Sequence, residues 1–156
     1  MLGLSQATYI NQILARFNMV DSKKGFVPFR VGISLSGNQR PKTPAEIERM
    51  RGIPYASTVG SLMYAMLCIR PNICFAIGMV SRYQSDPGEE HWTAVKHIFK
   101  YLLRTRDYML TYQDESLERA GFTDSDFQSD IDSRKSTSGC VHLWRWSHKL
   151  EECEAI

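Results

Sequence analysis

The sequence predicts an α+β protein in which a helical bundle comes first and a short run of strands follows it. Three observations predict this. Apolar side chains between Pro54 and Arg106 recur at helical spacing, the period changes to two after Arg106, and no internal repeat or low-complexity segment interrupts the order. With 156 residues, 43% of them hydrophobic and 23% charged, the chain has the composition of a globular protein and the length of one ordinary domain or parts of two.

In order along the chain, Ser5 to Met19 reads as a helix, with Ser5 as N-cap and Tyr9, Ile10, Ile13, Leu14 and Phe17 on its apolar face. The turn Asp21-Ser22-Lys23-Lys24-Gly25 closes it. Residues 26–53 have weak periodicity and read as a linker with one short helix near Thr43 to Arg51, where Pro44 takes the first helical position and Glu46 the capping-box position. Within the central block, Pro54 suits the first turn of a helix, and Val59, Leu62, Met63 and Met66 stand at i, i+3, i+4 and i+7. A second helix after Arg70-Pro71 places Ile73, Ala76, Ile77 and Val80 on one face and stops at Ser85-Asp86-Pro87-Gly88. A third runs from Glu89 to about Arg104 with Trp92, Val95, Phe99 and Leu102 inward, and its two leading glutamates suit the positive end of the helix dipole. Beyond it, Tyr108, Leu110 and Tyr112 alternate with Met109, Thr111 and Gln113; Ala120, Phe122 and Asp124 share a face of a second strand; and Gly139 to Trp144 forms a third. Trp146 to Ile156 has no clear pattern. The segments divide at 1–53, 54–106, 107–146 and 147–156.

The longest apolar run, Leu62 to Ile69, is too short to cross a bilayer, and the opening Met1-Leu2-Gly3-Leu4 lacks the features of a secretory signal. An intracellular location, cytoplasmic or nuclear, is therefore expected, with no membrane partner. Cys68, Cys74, Cys140 and Cys153 contain no CxxC pair and read as small, buried, reduced hydrophobes. Net charge is +2, but it is divided. Residues 1–113 carry fourteen Lys and Arg against seven Asp and Glu, and residues 114–156 carry five against ten, giving +7 and −5. A basic helical body suits a polyanion.

Two groups of residues can carry chemistry. Lys96, Lys100 and Arg104 lie at i, i+4 and i+8 with Arg106 just beyond, a stripe that either follows a phosphate backbone, as Lys23 and Lys24 can, or is a solvated helix face. Asp124, Asp126, Asp130 and Asp132 are either a magnesium or calcium site or a solvated turn; an EF-hand is excluded because Ser129 and Lys135 stand where Gly and Glu are needed. The four histidines form no constellation and carry no assigned role.

The order YASTVGSLMYAMLCIRPNICFAIGMVSRYQSDPGEEHWTAVKHIFKYLLRTRDYMLTY followed by GFTDSDFQSDIDSRKSTSG resembles the polymerase-to-RNase H region of the Pol polyprotein of copia-type retrotransposons. The opening LSQATYINQILARFNMVDSKKGFVPF is similar to the same family's segment just after the reverse-transcriptase palm, and the resemblance covers about residues 2–146. It implies that residues 1–53 are a post-palm helix and linker, that residues 54–106 are the thumb and connection bundle gripping the template–primer duplex, and that Ala120 to Trp144 opens an incomplete RNase H-like sheet. Asp124 then matches the first of the carboxylates that hold a pair of magnesium ions, while Asp126 and Asp130 share its motif without a catalytic part.

Departures from the family pattern shape the expected function. No part of the chain corresponds to the palm, the later RNase H acids are missing, and the tail from Trp146 loses the pattern, Glu154 standing outside any matching motif. The resemblance therefore implies a catalytically incomplete Pol fragment. Magnesium serves the parent family and none is expected in this fragment; the expected partners are an RNA–DNA or DNA duplex and the remaining Pol segments. The rival readings are a recruited interaction protein, a regulator or pathogen effector acting on a host protein, and a non-functional relic. Asn72, where the family commonly has Asp, is expected to retain helix-capping ability.

Overall fold

The computed structural model describes residues 2–30, 32–112, 119–125, 130–136, 138–144 and 150–152. Among the described residues five α-helices and five strands follow one another: β1 (Leu2–Ser5), α1 (Ala7–Arg16), α2 (Pro44–Arg51), α3 (Tyr55–Cys68), α4 (Cys74–Ser81), α5 (Glu89–Arg104), β2 (Tyr108–Tyr112), β3 (Arg119–Ser125), β4 (Ser138–Trp144) and β5 (Leu150–Glu152). Single 3-10 turns stand at Gly37–Gln39 and Pro71–Ile73. The mixed helix and strand composition is the α+β class the sequence predicts.

Helix α1 is capped one residue later than expected, because Ser5 is the last residue of β1 and Gln6 is the N-cap. The Ser5 hydroxyl still accepts the Ala7 amide at 3.3 Å. The helix ends at Arg16, ahead of the Asp21–Gly25 turn, through a Schellman arrangement in which Asn18 adopts a left-handed φ of 54°. Met19 N donates to the Leu14 carbonyl at 2.8 Å and Asn18 N to that of Ala15 at 3.2 Å, so two otherwise orphaned carbonyls are used. Helix α2 has the expected capping box: Thr43 Oγ1 accepts the Glu46 amide at 3.3 Å, and the Glu46 carboxylate accepts the Thr43 amide at 3.0 Å and that of Lys42 at 2.7 Å. Pro54 sits at the N-cap of α3, one position before the first turn. Asn72 caps no helix; its amide donates to the Tyr101 hydroxyl, which ties the 3-10 turn to α5.

The core gathers one face of each main helix. Ile10, Ile13 and Leu14 of α1, Val59, Leu62 and Ala65 of α3, Ala76, Ile77 and Val80 of α4, and Val95, Ile98, Phe99 and Leu102 of α5 are all at most 3% exposed. Burial of one such Leu, Ile or Phe side chain contributes about 1.5–3 kcal/mol, so this cluster is the main stabilising term. Met63, Met66 and Trp92, read as inward, are partly buried at its margin. On α3 the inward face is rotated toward Tyr55 and Thr58, because α4 packs on that side. Tyr55 is accommodated by donating its hydroxyl to the Val80 carbonyl at 2.8 Å. Cys68 and Cys74 correct the expectation of burial: both are free and exposed, at the last residue of α3 and the first of α4. Cys153 lies outside the described residues.

The strands do not form one continuous sheet. β2 pairs antiparallel with β1 through Leu2↔Tyr112, Gly3↔Thr111, Leu4↔Leu110 and Ser5↔Met109, and on its other edge with β5. The strand at Leu2–Ser5 has no sequence signal, since all of its residues are exposed and partnering comes from a segment far along the chain. β3 and β4 form a separate antiparallel pair in which Asp124 faces Gly139.

Candidate nucleic-acid interface

The polar side of α5 carries Lys96, Lys100 and Arg104 as the spacing predicts, and the structure adds a second wall to it. The loop that follows α1 crosses this helix at Gly25, whose amide donates to the Lys100 carbonyl at 2.8 Å. The approach is so close that a Cβ on Gly25 would sit 3.0 Å from the Lys100 Cβ, which explains a glycine at this point. Lys23 and Lys24 are thereby delivered beside Lys100, and together with Arg30, His97 and Phe26 they line a groove of about 340 Å³. Lys23, Lys24 and Arg30 are exposed, so their charged ends are free to meet a ligand. Arg104 holds its guanidinium 4.0 Å from the centre of the Phe26 ring.

The electrostatics of this groove register on His97. Burial lowers its pKa below the ordinary 6.5, and Arg30, Lys100 and Lys96 lower it further. A neutral imidazole surrounded by three cations marks a positive potential that an anion relieves. His97, Phe26 and Arg30 were not assigned to the site from the sequence. His97 had a usable signal, since it stands at i, i+3 and i+7 with Lys100 and Arg104 on the same helical face. Arg30 had none, because only the docking of the loop brings it there. Arg106 stands apart from the groove, beyond the end of α5, with its Nε 3.3 Å from an Asp107 carboxylate oxygen.

The acidic run separates into two environments. Asp124 is exposed on β3, in a shallow recess lined by Thr123, Ser125, Ser138 and Gly139. Among the described residues no three His, Cys, Asp or Glu side chains come together as metal ligands. Asp126 and Glu154 lie outside the described residues. Asp132 is a hydrogen-bond acceptor: its carboxylate takes the Gly37 amide at 2.7 Å, the Ser36 hydroxyl at 2.9 Å and the Tyr83 hydroxyl at 3.1 Å. These donors hold its pKa below the usual 3.8, the Gly37 amide contributing most. Asp130 stands 3.5 Å from Arg82 and accepts the Ser133 hydroxyl and the Asp132 amide. The Tyr83 ring stacks on His91 at 4.1 Å, and burial with the neighbouring Asp132 pushes the Tyr83 hydroxyl up to about 12. His91 is fully buried, its Nδ1 accepting the Gly88 amide at 2.9 Å and its Nε2 3.2 Å from the Ser36 carbonyl, an arrangement that suits the neutral Nε2–H form.

The chain is 42% identical over 160 residues to the retrovirus-related Pol polyprotein from transposon TNT 1-94 of Nicotiana tabacum, a match covering 99% of this chain and 12% of that protein. Its relatives include retrovirus-related Pol polyproteins of plant transposons. The corresponding polyprotein from transposon RE2 of Arabidopsis thaliana is 31% identical over 157 residues, covering 97% of this chain and 10% of that protein. The chain thus spans 10–12% of the length of these Pol relatives. Secreted RxLR effector protein 161 of Plasmopara viticola is 40% identical over 91 residues, which is 58% of this chain and 64% of that protein. No family model and no solved structure matches the chain. No described helix is long and apolar enough to cross a membrane.

Proposed function

We propose that the chain is the segment of a copia-type Pol polyprotein that runs from just after the reverse-transcriptase palm, through the thumb and connection helices, into the opening strands of RNase H. Its parent activities would be RNA-directed DNA synthesis and cleavage of the RNA strand, and the segment by itself is catalytically incomplete. What it retains is a grip on nucleic acid. The observation that carries this reading is the convergence of Lys23, Lys24, Arg30 and Lys100 on one groove, with Lys96 and Arg104 on the same helix. Several cations on a rigid helix and a loop bonded to it make a phosphate-binding surface whose strength comes from counterion release.

The experiment is the affinity of the purified chain for a labelled RNA–DNA hybrid over a salt series, with circular dichroism to verify folding. The logarithm of the association constant is expected to fall with the logarithm of salt by about 0.9 per phosphate neutralised. An affinity that ignores salt sinks the proposal. A second reading, recruitment as an interaction protein, is favoured by the similarity to the RxLR effector, 64% of whose length is matched. Folded protein that binds no nucleic acid and retains a specific host protein on a column supports that reading instead.

A further inference from the structure

We propose that the groove between the loop of residues 23–30 and α5 takes single-stranded nucleic acid, with a base stacked on Phe26 and its flanking phosphates on Lys23, Lys24, Arg30 and Lys100. This rests on the reading of the basic face as a nucleic-acid interface and names the form of the ligand. Phe26 is 75% exposed, the second most exposed large hydrophobic side chain in the described chain after Leu67. Its loop neighbour Phe29 shows the alternative, packing edge-to-face on Phe75 with ring centres 5.7 Å apart. Phe26 is instead held out over the groove, with the Arg104 guanidinium 4.0 Å from its ring centre.

That arrangement fixes the ring while leaving most of its surface open. The cation is attracted to the ring face and sets its orientation, and the Gly25–Lys100 hydrogen bond fixes the backbone one residue earlier. A rigid aromatic platform beside a row of cations is what a single strand needs, because any base offers a flat face for stacking and every linkage offers a phosphate. A duplex buries its base faces in its own stack. It can reach the lysines and arginines but gains nothing from the ring, and a groove of about 340 Å³ accommodates a nucleotide rather than a helix.

The test compares a fluorescein-labelled oligothymidine strand with an abasic strand of the same length and charge, by anisotropy at one salt concentration. Wild-type protein is expected to prefer the thymidine strand by about 5- to 140-fold. Phe26→Ala is expected to abolish the preference and Phe26→Trp to restore it; since the side chain is exposed, neither change disturbs the core. Equal, salt-sensitive binding of both strands by the wild type overturns the stacking proposal and leaves the polyanion reading standing. So does a preference that survives Phe26→Ala. Failure to bind either strand or the hybrid overturns both.

Discussion

Arg70 is fully buried, and its energetics can be worked from its surroundings. One terminal nitrogen, Nη2, donates to the carbonyls of Thr105 at 2.6 Å, Tyr108 at 2.9 Å and Arg106 at 3.2 Å. It thus ties the segment after α3 to the C-terminal end of α5 and the start of β2. Nε and Nη1 have no hydrogen-bond partner among the described residues. Burial lowers the guanidinium pKa, opposed by Tyr101 and Asp107, and the side chain nevertheless stays charged. Two terms therefore oppose each other: the hydrogen bonds from the two N–H groups of Nη2, which share three carbonyls, about 1.5–3 kcal/mol per N–H, and the desolvation of that charge, several kcal/mol. Arg70→Ala removes the first, leaves the carbonyls at the helix end unpartnered and opens a cavity, so it is expected to cost about 3–5 kcal/mol. In a chain of this length that lowers Tm by about 6–20 °C. Arg70→Met removes the charge but keeps much of the stem that packs in the core, and the relief of desolvation offsets part of the loss; about 1–3 kcal/mol is expected. Urea denaturation followed by circular dichroism measures both. An alanine variant within about 0.5 kcal/mol of wild type, the range of inert surface changes, or a methionine variant as damaged as the alanine one, refutes the reasoning.

Thr43→Ala removes the hydroxyl half of the α2 capping box and is expected to cost about 1 kcal/mol, read from the same urea midpoints. His97 faces Arg30 from the loop and Lys96 and Lys100 from its own helix, with Lys23 and Lys24 on the groove wall. Its depressed folded pKa means that the stability it contributes is complete above the unfolded value of 6.5 and declines as pH falls through the lower folded value. A bound polyanion raises that pKa, so oligonucleotide binding takes up a proton and tightens as pH falls through the same window; anisotropy across pH should show this for wild type and lose it in His97→Gln. Asp132 has a depressed carboxylate pKa, so the stability from its bonds to Gly37, Ser36 and Tyr83 is complete above 3.8 and is lost as pH falls through the lower folded value. The Gly37 amide resonance should report that release by a shift in acid, absent in Asp132→Asn.

Where local chemistry decides structure, the sequence was sufficient. Glu89–Arg104 has two leading glutamates for its dipole and regular apolar spacing and forms as read, and the Thr43-Pro44-Ala45-Glu46 signature produces its capping box. Asn18 was an available stop signal for α1 that the more obvious Asp21–Gly25 turn concealed. Leu2–Ser5 was illegible because a short exposed strand acquires its identity from β2, more than a hundred residues along the chain. The candidate site divides in the same way. Lys96, Lys100 and Arg104 follow from helical periodicity, but the groove requires the loop to cross α5 at Gly25, a tertiary contact between residues distant in sequence.

The uneven charge of the chain gains a physical meaning from these contacts. Asp130 and Asp132 belong to the acidic half, yet they are engaged by the Ser36 hydroxyl, the Gly37 amide, Tyr83 and Arg82 of the basic half. A carboxylate already accepting three hydrogen bonds is poorly placed to ligate a cation, since a metal would have to displace donors that hold its pKa down. The cations of the groove are in the opposite condition. Lys23, Lys24 and Arg30 are exposed on their loop, and His97, whose pKa is lowered first by burial and then by Arg30, Lys100 and Lys96, lies in the same groove. Asp130 and Asp132 fasten their loop to the helical body, whereas Lys23, Lys24 and Arg30 keep their charged ends exposed, so the polyanion site proposed above lies against α5.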